Sequence, residues 1–307
     1  MIVYYPHKDI DKKKWDDCIE QSVNELIYAY SWYLDVVVPG WDALVLDDYE
    51  AVMPLTWRQR TGIRYLFPPL YTKQLGIFSK RVPSKETTIR FLDSLTDRFK
   101  FIQIHLNEYN HIDTKSRYYF RMNNNFEIDL TPSYEKLYEH YNRNCRRNIK
   151  KAEKCSLVIR QDITAHSFTN FIKSNLEDRL KQLGKKDYHL LITLIEKLIT
   201  KQAAELYGSY LTDGTLCGVA LFLITAHRCI FLVCASSEQG KQCQTMYLLV
   251  DHQIKKYAGS GKIFDFSGSN IPGIAYFNST FGAYVKKYPT VVINNLPWPL
   301  RLLKRQD

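Results

Sequence analysis

The stretch Ile263-Phe264-Asp265-Phe266-Ser267-Gly268-Ser269-Asn270-Ile271-Pro272-Gly273-Ile274-Ala275-Tyr276-Phe277-Asn278-Ser279-Thr280-Phe281-Gly282-Ala283-Tyr284 is the most informative part of this chain. Ile263 to Phe266 is a short apolar run and reads as a strand. It ends on Ser267-Gly268-Ser269, small residues that let a ligand or a second backbone approach closely. Pro272-Gly273 breaks the chain. Ile274, Phe277 and Phe281 then recur at helical spacing, and Gly282 closes the helix. One acid, Asp265, stands between two phenylalanines, and strand alternation turns it away from both. Two readings follow: a carboxylate on the solvent side of a buried strand, or a strand-end carboxylate beside a pocket.

Upstream, a helix is predicted over 243–257, with Met246, Leu249, Val250, Ile254 and Tyr257 on its buried side and Gly259-Ser260-Gly261 ending it. Three antiparallel strands precede it, over 206–211, 216–225 and 229–235. Asp213-Gly214 is a hairpin turn and Ala226-His227-Arg228 the second connection. Before these come a strand over 156–161 and two helices over 164–183 and 186–205, joined at Gly184. Thr131-Pro132 opens a helix running to about Lys154. At about 100° per residue, Tyr138, Tyr141, Cys145, Ile149 and Ala152 fall on one side of it, and Arg143, Arg147, Lys150 and Lys154 on the other. This basic stripe contains no acid, and Glu139 and Glu153 lie to its flanks. Either it is a solvated face or it binds anions, for which arginine forks suit phosphate and carboxylate. Downstream, 285–294 is a final strand and 297–307 a basic amphipathic tail expected to pack as a helix on the body.

The first half opens with a helix predicted over 11–30 on Trp15, Ile19, Val23, Leu26 and Ile27. The aromatic segment Ser31-Trp32-Tyr33-Leu34-Asp35 either caps a pocket or packs. Strands over 41–46 and 51–57 form a hairpin at Asp47-Asp48, Arg58 to Gly62 is a polar turn, and 63–67 is a third strand. After Pro68-Pro69 comes Thr72-Lys73-Gln74-Leu75-Gly76-Ile77-Phe78. It is either a strand and turn with an exposed lysine, or a substrate groove lined by Tyr71, Lys73 and Gln74. Ser84 caps a helix reaching Phe99. Strands follow over 101–106, 117–122 and 126–130, with Asn123-Asn124-Asn125 as a turn. The mixed α/β first half thus ends near residue 130.

With 307 residues and 45% hydrophobic residues, the chain can bury a sizeable core. Its net charge of +10 suits an anionic partner, and equally suits simple solubility. The 14% aromatic content beside a basic stripe leaves open a non-catalytic RNA- or nucleotide-binding protein, although most aromatics fall in core periodicity. Seven cysteines without a C-x-x-C pair read as reduced thiols, and eight scattered histidines give no metal-ligand spacing, so no metal is expected. The N-terminus lacks a signal-peptide pattern, and the longest apolar runs are too short to span a bilayer. A cytoplasmic protein without a membrane span is expected.

Asp265-Phe266, Gly268-Ser269, Gly273, Phe277 and the following Phe281-Gly282-Ala283 together resemble the C-terminal block of bacterial Fem-type aminoacyltransferases. Those are double-domain members of the GNAT acyltransferase superfamily. Arg143-Asn144-Cys145-Arg146-Arg147-Asn148-Ile149-Lys150-Lys151-Ala152-Glu153-Lys154 is similar to the Arg-rich helix that opens their second domain, and Gln74-Leu75-Gly76 to a segment of their first. The resemblance implies an α/β (α+β) fold of two tandem GNAT-like domains, each a mixed, largely antiparallel sheet flanked by helices. Residues 1–130 would be a degenerate copy and 131–296 the acyltransferase domain. It implies transfer of an acyl or aminoacyl group to an acceptor amine, with a peptidoglycan precursor as one candidate acceptor. Asp265 would orient or deprotonate the amine. Ser267, Gly268, Ser269 and Tyr276 would line the site, and Arg143, Arg147 and Lys150 would hold a phosphate or carboxylate. No tightly bound cofactor is implied; the co-substrate is aminoacyl-tRNA or acyl-CoA. Acyl-CoA enzymes of the superfamily carry Gln/Arg-x-x-Gly-x-Gly/Ala before the helix that here starts near Cys243. Counting from Gln239, the two small positions are Gln242 and Gln244, whose side chains fill the space of a pyrophosphate. That departure fits the Fem branch.

Overall fold

The computed structural model describes residues 1–113, 116–176, 181–268, 270–298 and 300–303. In chain order the elements are β1 (Ile2–Tyr5), α1 (Lys12–Glu20), α2 (Ser31–Val37), β2 (Asp42–Leu46), β3 (Ala51–Leu55), β4 (Trp57–Arg60), β5 (Ile63–Leu66), β6 (Phe78–Ser79), α3 (Lys85–Asp93), β7 (Phe101–His105) and β8 (Tyr119–Asp129). There follow α4 (Tyr134–Glu139), α5 (Arg143–Lys154), β9 (Val158–Arg160), α6 (Ala165–Leu176), α7 (Lys185–Thr200), β10 (Ala204–Tyr210), β11 (Leu216–Ile224), β12 (Arg228–Ser236), α8 (Glu238–Gln242), α9 (Thr245–Tyr257), β13 (Ile263–Asp265), α10 (Pro272–Ser279), β14 (Tyr284–Asn294) and α11 (Leu300–Leu303). The chain divides into two compact units, residues 1–124 with 287–307, and residues 125–286. The sequence-based break at 130/131 lies a few residues away. The end of β14, assigned by sequence to the second half, packs with the first unit because it pairs with β7 through Thr290↔His105 to Asn294↔Phe101. Of the helix expected over 297–307, residues 299 and 304–307 lie outside the described residues.

The first unit holds an antiparallel sheet in the order β1-β2-β3-β6, and β4, β5, β7 and the end of β14 as neighbours in that order. Its core forms where Phe91, Leu92, Leu95 and Phe99 meet Ile102 and Ile104 of β7 and Val291 and Ile293 of β14. In the second unit the strands run β8-β13-β12-β11-β10-β9. All its pairings are antiparallel except β12–β13. One sheet face carries Phe126, Ile128, Phe264 and Phe266, which pack with Cys145 and Ile149 of α5 and Leu249, Val250 and Ile254 of α9. Each fully buried phenylalanine contributes about 1.5–3 kcal/mol relative to exposure.

Several sequence expectations are corrected. The helix predicted over 11–30 stops at Glu20, because Val23 N–H and the Asn24 amide turn to the carbonyls of Ser79 (3.1 Å) and Ile77 (2.8 Å). Ser31 to Val37 is itself a helix, with Tyr33 and Leu34 in the core. Residues 58–60 are strand rather than turn. The reversal is Thr61-Gly62, both at positive φ (47° and 79°), as a tight hairpin requires. Asn123-Asn124-Asn125 is not a turn but the middle of β8. The Asn123 amide N–H donates to Thr290 Oγ1 of β14 and that of Asn125 to Glu127 of the same strand, so these donors are used within the sheet rather than in a turn. The helix predicted over 131–154 is two helices. Asn142 N–H bonds the carbonyl of Thr280, and its side chain caps Cys145 N–H, restarting the helix at Arg143. The helix predicted from 243 is broken at Gln244, which adopts φ 58° between α8 and α9.

Candidate functional site

Strand β13 is three residues long. It pairs in parallel with β12 only through Arg228↔Ile263, Cys229↔Phe264 and Ile230↔Asp265, while β12 continues to Ser236. The two neighbours therefore part at Asp265. There the chain turns out of the sheet through Ser267 and Gly268, at φ 60° and 64°. Both lie in the left-handed region, which is costly for Ser267 with its Cβ and without penalty for glycine. Asp265 holds the turn by accepting from Ser267 N–H at 2.7 Å.

Alternation does turn Asp265 away from Phe264 and Phe266, but not into solvent. The carboxylate is 3% exposed. Its antiparallel partner across β8 is Glu127, equally buried. Arg228 Nη1 reaches Glu127 Oε1 at 2.7 Å and Asp265 Oδ2 at 3.2 Å. The Asn125 amide and the Tyr284 hydroxyl also donate to Glu127. Two buried carboxylates thus share one guanidinium. Burial, with Glu127 adding to it, raises Asp265 to about 6, against the opposing pull of Arg228 and Ser267 N–H. Among the described residues, Ser267 Oγ and Asn125 Oδ1 are buried without a hydrogen-bond partner. Asp265 is thus a buried carboxyl at a strand end whose burial favours its protonated form.

Sequence reasoning misses Glu127, Arg228 and Asn125, because it places Arg228 in a connection and Asn125 in a turn. The available signal is a lone acid in the alternating run Phe126-Glu127-Ile128. Gly268 stands at the exit turn, and Tyr276 is exposed on α10 near exposed Ile271 and Ile274. Ser269 lies outside the described residues.

The basic stripe is elsewhere. Cys145, Ile149 and Ala152 bury the inner side of α5, leaving Arg143, Arg147 and Lys150 exposed along a shallow cleft with Arg146, Lys151 and Lys154. None of the six forms an ion pair among the described residues. Arg146 is tied back to the carbonyls of Tyr141 and Glu139, and Arg147 donates to Asn144. Since α5 packs on the face opposite Asp265, the sheet stands between the stripe and the carboxylate pair. The segment 238–245 makes no open anion loop. Gly240 N–H is bonded to Ser237 Oγ, and the N–H groups of Lys241, Cys243 and Gln244 to the carbonyls of Ser237, Gln239 and Lys241.

In the first unit, Lys73 lines a pocket with Thr56, Phe67, Thr72 and His105. Thr72 Oγ1 is buried there without a partner among the described residues. His105 is lowered to about 4 by burial, with help from Arg121 and Lys73, so it is neutral; its Nδ1 meets Thr290 Oγ1 at 2.7 Å. Gln74 is buried beside this pocket, and the Tyr71 carbonyl accepts from Tyr33. Asn107 and Asn110 pin the carbonyls of Leu75 and Ile77, and Gly76 sits at φ +90° under Asn110.

No protein-family model matches the chain, and no curated protein matches it by sequence. Solved structures do. The crystal structure of FemX superposes with a TM-score of 0.67 at 14% identity, over 96% of this chain and 98% of that one. L-PGS from Bacillus licheniformis gives 0.55 at 10% identity over 95% of each chain. A tandem GNAT protein from the clavulanic acid biosynthesis pathway gives 0.52 at 11%, over 97% and 99%. The chain shares its fold with FemX and with this tandem GNAT protein, at low sequence identity. Among the described residues no helix is long and apolar enough to cross a membrane.

Proposed function

We propose that this chain transfers an aminoacyl group from an RNA ester to an acceptor amine, with the strand end at Asp265 as the reacting centre. The observation that carries this reading is the parting of β12 and β13 beside a buried carboxylate pair. An amine is protonated at neutral pH and must lose a proton before it attacks an ester carbonyl. Asp265, beside Glu127 on Arg228, is raised to about 6 chiefly by burial, so its carboxylate is ionised at neutral pH and is the group that accepts that proton. Ser267 Oγ is the donor we assign to the carbonyl oxygen as negative charge develops there. No covalent enzyme intermediate is part of the scheme.

We assign Arg143, Arg147 and Lys150 to phosphates of the donor. They lie across a helix layer about 10 Å thick and a sheet from Asp265, a span suited to a polynucleotide rather than a small carrier. The internally bonded N–H groups at 240–244 favour an RNA ester over acyl-CoA. Lys73, Tyr71 and Gln74 are assigned to an acidic ligand of the first unit, for which a nucleotide-linked peptidoglycan precursor has the chemistry; the space between Lys73 and Thr72, about 10 Å³, takes no more than one water-sized group of it. A thermal-shift panel of tRNA, acetyl-CoA, a longer acyl-CoA and a UDP-linked muropeptide tests the reading. A ligand at about a hundred times its Kd adds about 2.7 kcal/mol. Stabilisation by tRNA that fades with salt, with none from CoA esters, is expected. Stabilisation by a CoA ester alone would hand the role to an acyl-CoA N-acyltransferase. RNA binding without transfer to any amine would leave a non-catalytic RNA-binding protein.

A further inference from the structure

A separate cleft in the first unit is built from β1, β2, the β4–β5 hairpin and the chain after α3. Tyr4, Lys8, Asp42, Trp57, Arg64 and Arg98 line it. The Arg64 guanidinium lies over the Trp57 ring at 4.5 Å, and that of Arg98 over the Tyr4 ring at 4.0 Å. Cation–π contact with a ring restrains each guanidinium. Neither arginine, nor Lys8, forms an ion pair among the described residues. The one carboxylate in the cleft, Asp42, is already occupied. Tyr4 OH donates to its Oδ2 and His7 N–H to its Oδ1. Burial and Asp42 push the Tyr4 hydroxyl up to about 12, so it stays a neutral donor. Three cations against one satisfied carboxylate leave a local charge of +2, which matches a phosphate dianion better than a carboxylate.

We propose that this cleft binds a phosphate group, held in bidentate fashion by Arg64 and Arg98 with Lys8 at its rim. It is independent of the stripe on α5 and of the reaction proposed above. The phosphate belongs either to a soluble diphosphate or to a lipid headgroup, and the probes below separate the two. Trp57 is a built-in reporter, being one of only five tryptophans. The protein is labelled with 5-fluorotryptophan, its Trp57 resonance is assigned with Trp57→Phe, and it is titrated with inorganic diphosphate or with phosphatidic-acid vesicles. A saturable shift of the Trp57 resonance is expected. Arg98→Gln and Arg64→Gln should each weaken binding by about tenfold or more, and Arg98→Lys, which keeps the charge but loses the fork, by less. Arg143→Gln/Arg147→Gln should titrate like the parent. A response to diphosphate assigns the soluble ligand, and a response to vesicles alone the lipid. A Trp57 resonance unmoved by both probes, or moved equally in folded Arg98→Gln and Arg64→Gln, overturns the proposal.

Discussion

Replacing Asp265 by Asn should change how stability depends on pH, by an amount that follows from its surroundings. The folded protein holds the Asp265 proton to about pH 6, against 3.8 for the free side chain. Between those values the folded state binds more protons than the unfolded one, so stability is fully present below pH 3.8 and is lost as pH rises through 6. The interval of about 2.2 pH units, at about 1.36 kcal/mol each, amounts to about 3 kcal/mol. An amide at this position has no proton to lose, so Asp265→Asn should escape that fall. Removing the carboxylate also costs a hydrogen bond to Arg228 or Ser267. That constant is the same at every pH and drops out of the difference. Urea unfolding of both proteins at pH 4 and pH 8 gives four stabilities. At pH 4 the unfolded side chain is already more than half ionised, so the variant should gain about 2 kcal/mol of that on wild type between the two pH values. Parallel pH curves would refute the buried, proton-holding carboxylate, and with it the reason for placing the base there. A gain would also show that this acid is kept at a cost in stability, as functional groups often are.

Other outcomes follow from the same structure. His105 is held below its ordinary value of 6.5 at about 4, so its contribution is present above pH 6.5 and lost as pH falls towards 4. His105→Gln should therefore resist mild acid better than wild type in the same unfolding assay. A Cβ at Gly76 would lie 2.2 Å from Asn110 Oδ1 at φ +90°; Gly76→Ala should cost about 2 kcal/mol or more in chemical denaturation. Asn142→Ala removes the cap of α5 and should cost about 1 kcal/mol. In filter-binding titrations with tRNA, Arg143→Gln/Arg147→Gln/Lys150→Gln should reduce the slope of log affinity against log salt by roughly 2 to 3.

Where a local signal matches a local cause, the sequence is readable. Asp213-Gly214 is the hairpin turn between β10 and β11, with Gly214 at φ +88°. Ser84 caps α3 by accepting from Thr87 N–H. The angular sorting of α5 is the observed one, with Cys145, Ile149 and Ala152 inside and the arginines and lysines outside. What escapes is set by pairings between distant parts of the chain. Asn123 and Asn125 have turn chemistry by residue type, yet β14 and Glu127 satisfy their amides within a strand. The loss of helix after Glu20 depends on carbonyls of Ile77 and Ser79. At the site, Asp265 is visible because it interrupts an apolar run. Its partners are hidden because Glu127 and Arg228 reach it only through the registers of β8 and β12.

Single-turnover transfer is the most direct measurement of the central claim. Wild type and Asp265→Asn would be mixed with tRNA carrying a radiolabelled aminoacyl group and with a panel of amine acceptors, including a UDP-linked muropeptide. Label recovered as an amide in the acceptor is the readout, alongside tRNA binding and circular dichroism of both proteins. Amide formation by wild type is expected, and at least about a hundredfold less by a variant that folds and binds tRNA normally. Undiminished transfer by Asp265→Asn would remove the strand-end carboxylate from the reaction. Absence of transfer by wild type across all acceptors, with tRNA bound, would contradict the proposed activity itself.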